Sequence, residues 1–158
     1  MLEHVDLYNA VGPGPVDDLD FCLPVGKAAI RREGKDATIL TYLGMVPFVL
    51  EAVEEFGEVD AEVIDLRWLD RALLGDQHLV GLGDAGLDGV PVDAGAVGTS
   101  YGGWLADEIH RRFFDLLDAP VRRVTGAEAS PSISKVLERA AIAQKDEVIA
   151  ELTEIARY

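Results

Sequence analysis

A chain of 158 residues, 49% apolar and 27% charged with a formal net charge of −15, has the length and balance of one soluble globular domain that buries about two-thirds of its unfolded surface. The charge excludes nucleic acid and anionic membrane surfaces as natural partners, because both would be repelled; it suits a basic protein partner, or serves solubility alone. A single cysteine, Cys22, excludes an internal disulfide framework and a zinc knuckle, and points to a reducing, cytoplasmic setting.

In chain order, residues 1–20 read as an extended linker or arm. "VGPGPV" breaks regular structure, and "DDLD" follows it. Asp17, Asp18 and Asp20 lack the glycine and terminal glutamate of a calcium loop. The opening "MLEHVDLYNA" has neither the basic nor the apolar region of a signal peptide. No apolar run approaches the ~20 residues needed to span a bilayer. "HVDLY" reads like the end of a strand, as if something precedes it.

"GKAAIRREG" is a short amphipathic segment, and "ATILTY" has the continuous apolar character of a buried strand. "GMVPFVLEAVEEFG" predicts a helix. Val46, Val49, Val53 and Phe56 share one face, Pro47 sits in the first turn and Gly57 provides the stop. "AEVIDL" is a second strand, so the pair predicts a parallel, right-handed crossover. "GGWLADEIHRRFFDLL" predicts a helix with Leu105, Ile109, Phe113 and Leu116 inward. "APVRRVTG" reads as a short edge strand led by its proline. "SPSISKVLERAAIA" and "KDEVIAELTEIARY" close the chain as helices, the last with Val148, Leu152 and Ile155 inward. The alternation predicts a three-layer α/β/α domain.

Two short motifs suggest chemistry and are tested by their surroundings. Gly81, Gly83 and Gly86 have the spacing G-x-G-x-x-G, but a weak strand precedes them and "LDGVPVDAG" follows, which forbids the helix whose N-terminus would hold a phosphate. Asp84 and Asp88 would repel one. "GTSYG" at residues 98–102 matches the nucleophile elbow of serine hydrolases. The later histidine, His110, lies ~15 Å along the same helix and cannot serve Ser100 as base; His4 and His78 lie in poorly patterned segments. Capping of the helix by Ser100 is the favoured reading. "IRRE" and "VRRV" read as salt-bridge partners or strand flanks.

Four blocks in fixed order, "LPVGKAAIRREGKDATILTYLGMV", "AEVIDLRWLD", "GTSYGGWLADEI" and "LDAPVRRVTG", resemble the C-terminal domain of the β subunit of thiamine-diphosphate-dependent 2-oxo acid dehydrogenases, the transketolase C-terminal domain. The resemblance covers residues 1–70 and 94–158. It implies a three-layer sandwich on a mixed five-stranded sheet whose first strand is antiparallel, spanning residues 21–158. It implies no catalytic, cofactor-binding or metal-binding residue on this chain. Thiamine diphosphate and magnesium belong to the parent enzyme, held by a preceding pyrimidine-binding domain, absent here, and by the α subunit. The implied partners are the α subunit, a second β subunit and the basic binding domain of the lipoyl acyltransferase. "TSYGGW" inclines the parent toward the branched-chain or pyruvate type.

Gly102, Gly103 and Trp104 are then interface candidates, or serve internal packing only. Asp118 and the C-terminal carboxylate of Tyr158 are candidates for an acidic contact with the acyltransferase. Between "DLRWLD" and "GTSYGG" the family's charged helix and buried strand give way to a glycine-rich stretch of preserved length, as a local compensated frameshift or relaxed selection on a fragment would leave. Residues 72–96 are therefore expected to be the least regular part, with Pro91 removing a ladder hydrogen bond from a central strand. The alternatives are a free-standing acidic binding module and, against the geometry, a serine hydrolase using Ser100.

Overall fold

The structure is a computed structural model that describes residues 3–14, 17–69, 89–96, 100–128 and 133–158. A five-stranded sheet organises it, in the order β1-β3-β2-β4-β5. Its strands are β1 (Ala29–Arg32), β2 (Ala37–Thr41), β3 (Ala61–Asp65), β4 (Gly89–Ala96) and β5 (Val124–Gly126). The strands β3, β2, β4 and β5 run parallel to one another, and β1 runs antiparallel along β3. Both runs read as buried strands are so: every residue of β2 and β3 is buried. Helices α1 (Met45–Phe56) and α4 (Lys145–Ile155) cover one face, and α2 (Tyr101–Phe113) covers the other. The expected three-layer sandwich with one antiparallel strand is what forms.

The larger core lies under α1 and α4. Val49 and Val53 of α1 and Val148, Leu152 and Ile155 of α4 meet Ile39, Val63, Val90 and Val92 of the sheet. Helix α1 ends as expected: Gly57 is left-handed at φ 64°, and its N–H donates to the Val53 carbonyl at 3.0 Å. Helix α4 is tied back by its own first turn, where the Gln144 amide donates to Glu147 Oε2 at 2.7 Å. Lys145 then pairs with Glu55 of α1 at 2.5 Å, across 90 residues of sequence. The smaller core, under α2, joins Leu105 and Ile109 to Leu40, Ile64 and Leu66.

Three sequence expectations need correction. Leu116 is not part of the buried stripe: α2 stops at Phe113, and Phe114 to Leu116 turn as a short 3-10 helix that leaves Phe114 and Leu116 exposed. The strand expected in "APVRRVTG" is only Val124–Gly126, so Pro120 precedes it by several residues. Residues 89–96, expected to be irregular, form β4 and pair with β2 and β5. Pro91 does sit in this central strand. The β2–β4 register ends at Leu40 opposite Pro91, and one residue on, the buried Thr41 hydroxyl donates to the Val92 carbonyl at 3.0 Å. A side chain thus bridges the strands just past the residue that has no N–H to offer. Replacing Thr41 by Val keeps the shape and loses this bond. It should lower unfolding free energy by about 1–2 kcal/mol in urea titration, and an unchanged midpoint would show that the bond contributes nothing.

The connection from β1 to β2 must cross the start of β3, because β3 lies between them. Gly34 makes that crossing. A Cβ on it would stand 2.3 Å from the Ala61 carbonyl carbon and the Glu62 nitrogen, and 2.4 Å from the Asp60 oxygen. The neighbouring amides close the crossing, Lys35 and Asp36 both donating to the Asp60 carbonyl at 2.7 and 3.0 Å. Asp36 Oδ2 in turn accepts the Asp60 N–H at 2.8 Å.

Candidate functional site

The residues singled out for interaction fall in three places: the start of α2, the loop that follows it, and the end of the chain beyond α4. Ser100 is the residue before the first turn of α2, as expected of a cap, but its side chain makes no capping bond. Its Oγ is enclosed and has no hydrogen-bond partner among the described residues. His110 does not reach it, standing about 15 Å further along the same helix. His110 lies ten residues along α2, where its Nδ1 is 2.9 Å from the Ala106 carbonyl of its own helix. Gly81, Gly83, Gly86 and His78 lie outside the described residues.

Gly102 is buried, and Trp104 is half-buried against the smaller core. Tyr101 joins them as the middle of an aromatic row. Its ring is 6.3 Å from Tyr42, edge-on, and 5.2 Å from Trp104, tilted. A Cβ on Gly103 would lie 2.6 Å from Arg123 Nη1, so this glycine lets the Arg123 guanidinium, just ahead of β5, lie along the helix. Gly102 is thus enclosed, while Gly103 and Trp104 each keep an outer part open to solvent. Asp118 stands exposed in the loop after α2, and Tyr158 stands exposed at the chain's end beyond α4.

Arg31, Arg32 and Arg122 of the basic "RR" pairs form ion pairs. Arg31 donates from Nε and Nη2 to Asp65 Oδ2 at 3.1 and 2.8 Å. Arg32 pairs with Asp60 at 3.0 Å and also donates to the Ala61 carbonyl. Arg122 pairs with Glu151 of α4 at 2.6 Å. Asp65 is the centre of a cluster that the sequence reading missed. Its Oδ1 accepts the Arg67 amide at 3.2 Å, and Arg67 Nε lies 3.7 Å from Oδ2. Arg67 is left-handed, at φ 56°, as is Leu43 at φ 53° after β2. Two non-glycine residues in this conformation at the carboxyl ends of adjacent strands mark a backbone held by its surroundings. The available signal was an acid at the end of a buried strand, the Asp of "VIDL".

A second acid in the same strand, Glu62, is buried beside Thr38, whose hydroxyl donates to Glu62 Oε2 at 3.3 Å. Burial raises its pKa above the ordinary carboxylate value; the Thr38 bond works the other way, and the nearby Glu33 charge adds to the rise. A carboxyl with a raised folded-state pKa favours the fold most when protonated. Its contribution is fully present below the unfolded pKa and is lost as pH rises through the folded one. Glu62→Gln should therefore raise the melting temperature at pH 8, by roughly 2–4 °C if the relief is near 1 kcal/mol, and leave it unchanged at pH 4. A gain of equal size at both pH values would assign the effect to packing rather than charge.

A polar hollow of about 270 Å³ opens between α1 and the start of α4, lined by Phe48, Glu51, Arg139, Gln144, Lys145 and Asp146. Its charges are of both signs, and Lys145 is already paired with Glu55. Among the described residues, no group of three or more His, Cys, Asp or Glu side chains could hold a metal ion, and no helix is long and apolar enough to cross a membrane.

Residues 26–148 match the family described as transketolase, C-terminal domain. Over 94% of its length the chain is 36% identical to the pyruvate dehydrogenase E1 component subunit beta-1, mitochondrial, of Arabidopsis thaliana, covering 41% of that protein. It is 34% identical to the pyruvate dehydrogenase E1 component subunit beta of Rhizobium meliloti, again over 94% of the chain and 32% of the relative. The chain thus spans about two-fifths or less of these relatives. Among solved structures, a split gene transketolase described as an inactive beta4 tetramer superposes with a TM-score of 0.62 over 87% of this chain and 44% of its own, at 21% identity, a likeness of fold.

Proposed function

Because the chain belongs to the transketolase C-terminal domain family and is a homologue of pyruvate dehydrogenase E1 β subunits, we propose that it is the non-catalytic assembly domain of the decarboxylating component of a 2-oxo acid dehydrogenase of the pyruvate type. The observation that carries the reading is the 36% identity sustained over 94% of the chain but only 41% of the relative. In this proposal the chain contributes subunit dimerisation and a docking surface for the lipoyl acyltransferase, and its partners are an α subunit and a second β subunit. Thiamine diphosphate, with magnesium, is the cofactor of the whole enzyme. The residues described here do not fit its diphosphate-bound ion, having no cluster of acidic or other metal-ligating side chains, so the cofactor site is assigned to the rest of the enzyme. The setting proposed is the reducing cytoplasm, to be checked by cell fractionation, since several relatives carry mitochondrial in their names.

Asp118 and the Tyr158 carboxylate, both exposed and acidic, are the proposed contacts for a basic acyltransferase domain. Charges of this kind act on association rate and are screened by salt. The test is binding of the chain to the dehydrogenase subunits and the acyltransferase of the same organism, by co-purification and surface-plasmon resonance. Retention by these proteins is expected, with Asp118→Lys slowing acyltransferase association about tenfold at low salt. Absence of affinity for all of them would favour the free-standing acidic module instead. The hydrolase alternative predicts that Ser100→Ala abolishes an esterase activity; on the present reading no such activity depends on Ser100.

A further inference from the structure

The hollow between α1 and the start of α4 holds charges that its own chain leaves over. Lys145 is taken up by Glu55. Three further groups on the wall, Glu51 of α1, Asp146 of α4 and Arg139 of helix α3 (Lys135–Ala141), form no ion pair among the described residues. The balance around the Lys145 ammonium is acidic. Its pKa is raised first by its bond to Glu55 and the charge of that carboxylate, then by the charges of Glu51 and Asp146, with burial working the other way. One ammonium thus faces three carboxylates, which leaves a place for a second cationic group. The walls are fixed as well. The Gln144 side chain donates from Nε2 to the carbonyls of Arg139 and Ile142 at 2.6 and 2.7 Å, and its oxygen accepts the Glu147 N–H. Those bonds pin the turn between α3 and α4, and the pair of Lys145 with Glu55 at 2.5 Å pins α4 to α1. Phe48, half-buried against the larger core, supplies an apolar wall.

We infer that this hollow binds a small apolar α-amino acid as its zwitterion. Arg139 takes the carboxylate, Glu51 and Asp146 take the ammonium, and the side chain lies along Phe48. The charges select this class of ligand. A simple anion would meet the carboxylates, and a simple cation would meet Arg139 and Lys145. A ligand whose two opposite charges are held one carbon apart can satisfy both sets. Arg139 suits its share, because a guanidinium meets a carboxylate with two parallel N–H bonds. The size agrees. A volume of about 270 Å³ lies just below the roughly 300–1,000 Å³ of sites for drug-sized ligands, so it fits one amino acid rather than a nucleotide or a peptide. Walls fixed before the ligand arrives lower the ordering cost of binding. The inference stands apart from the proposed function, because the site lies wholly on this domain and needs no partner subunit.

The test is calorimetric titration of the whole chain with L-phenylalanine, glycine, L-phenylalaninamide and N-acetyl-L-phenylalanine. The amide lacks the carboxylate and the acetyl compound lacks the ammonium. Two variants are compared with the parent, Arg139→Gln and the pair Glu51→Gln with Asp146→Asn. All three positions are exposed, so unchanged circular dichroism and melting confirm that both variants fold. L-phenylalanine is expected to bind the parent saturably, at one site per chain. Glycine, which has no side chain to lay along Phe48, and both blocked compounds should bind at least tenfold more weakly. Each variant should weaken L-phenylalanine about tenfold. Arg139→Gln should leave the amide, which has already lost that contact, unchanged, and the acid variant should leave the acetyl compound unchanged. Absence of saturable binding of L-phenylalanine up to about 10 mM overturns the inference. So does either variant that binds it like the parent. A variant that weakens its matching blocked compound as much as it weakens L-phenylalanine overturns it as well, since the residue would then act on the fold of the hollow and not on the charge assigned to it.

Discussion

Gly34→Ala should destabilise the domain by about 2–4 kcal/mol, lowering its melting temperature by roughly 5–15 °C. The atoms that an alanine Cβ would strike, at 2.3–2.4 Å, are all backbone: the Ala61 carbonyl carbon, the Glu62 nitrogen and the Asp60 oxygen. No rotamer change can clear them. Relief requires lifting the β1–β2 connection off the start of β3, and that breaks the bonds from Lys35 and Asp36 to the Asp60 carbonyl. Gly12→Ala and Gly14→Ala are the controls. Nothing lies within 4 Å of a Cβ at either position, so both should melt with the parent or slightly above it, through a less flexible unfolded chain. A Gly34→Ala protein that melts with its parent would show that the crossing has slack.

Asp65→Ala should cost about 2–3 kcal/mol, measured by urea unfolding. The carboxylate is nearly buried, with side-chain exposure of 10%, and Arg31 at 43% and Arg67 at 25% both turn toward it. Removing it leaves two guanidinium groups around a polar void and an Arg67 amide without its acceptor. Because Arg31 belongs to β1, the loss should be local as well as global. Amide exchange at Ala29–Arg32 should accelerate more than exchange in β2. Asp65→Asn keeps an acceptor for the Arg67 amide and should lose about half as much. Arg67→Gly separates strain from pairing: it deletes an ion pair but relaxes a left-handed residue, so its net effect should be within about 1 kcal/mol of zero. If Asp65→Ala unfolds with the parent, the cluster is a surface ornament of the β1 edge and β1 is held by its ladder alone.

The parts of the fold legible in the sequence were those with one-dimensional signatures. "ATILT" and "AEVID" are buried on both faces and read as strands; α1 and α4 have clean apolar stripes, and Gly57 announces its own turn. Strand β1 escaped because it is a half-exposed edge of four residues, two apolar and then two charged, too short to leave an apolar run. Strand β4 escaped for the opposite reason. Local propensity against Gly and Pro argued for disorder of pattern, yet pairing with two neighbours and a hydroxyl from Thr41 overrode it. Leu116 was misassigned because the 3.6-residue period was carried past the real helix end, where Phe113 has left helical geometry, with φ −126° and ψ 11°. The site was legible only in part. The position of Ser100 at a helix start could be read, but not that its Oγ would lack a partner. Asp65 and Arg31 are 34 residues apart, and nothing in the local pattern joins them. The alternation of elements gave the layers and the parallel crossover, and the family blocks added the five strands and the antiparallel first one.

The pairing of Lys145 with Glu55 has a consequence for how the chain is made. The face of the sheet covered by α1 is sealed by the last eleven residues of regular structure, so it cannot close while the ribosome is still adding them. At about 5–20 residues per second, the 90 residues between the two partners take roughly 5–20 s to synthesise. Throughout that interval Ile39, Val63 and the inner side of α1 lack the cover of Val148 and Leu152. Nascent chains stalled after residue 144 should therefore recruit holding chaperones, and chains with α4 complete and clear of the ribosome should not.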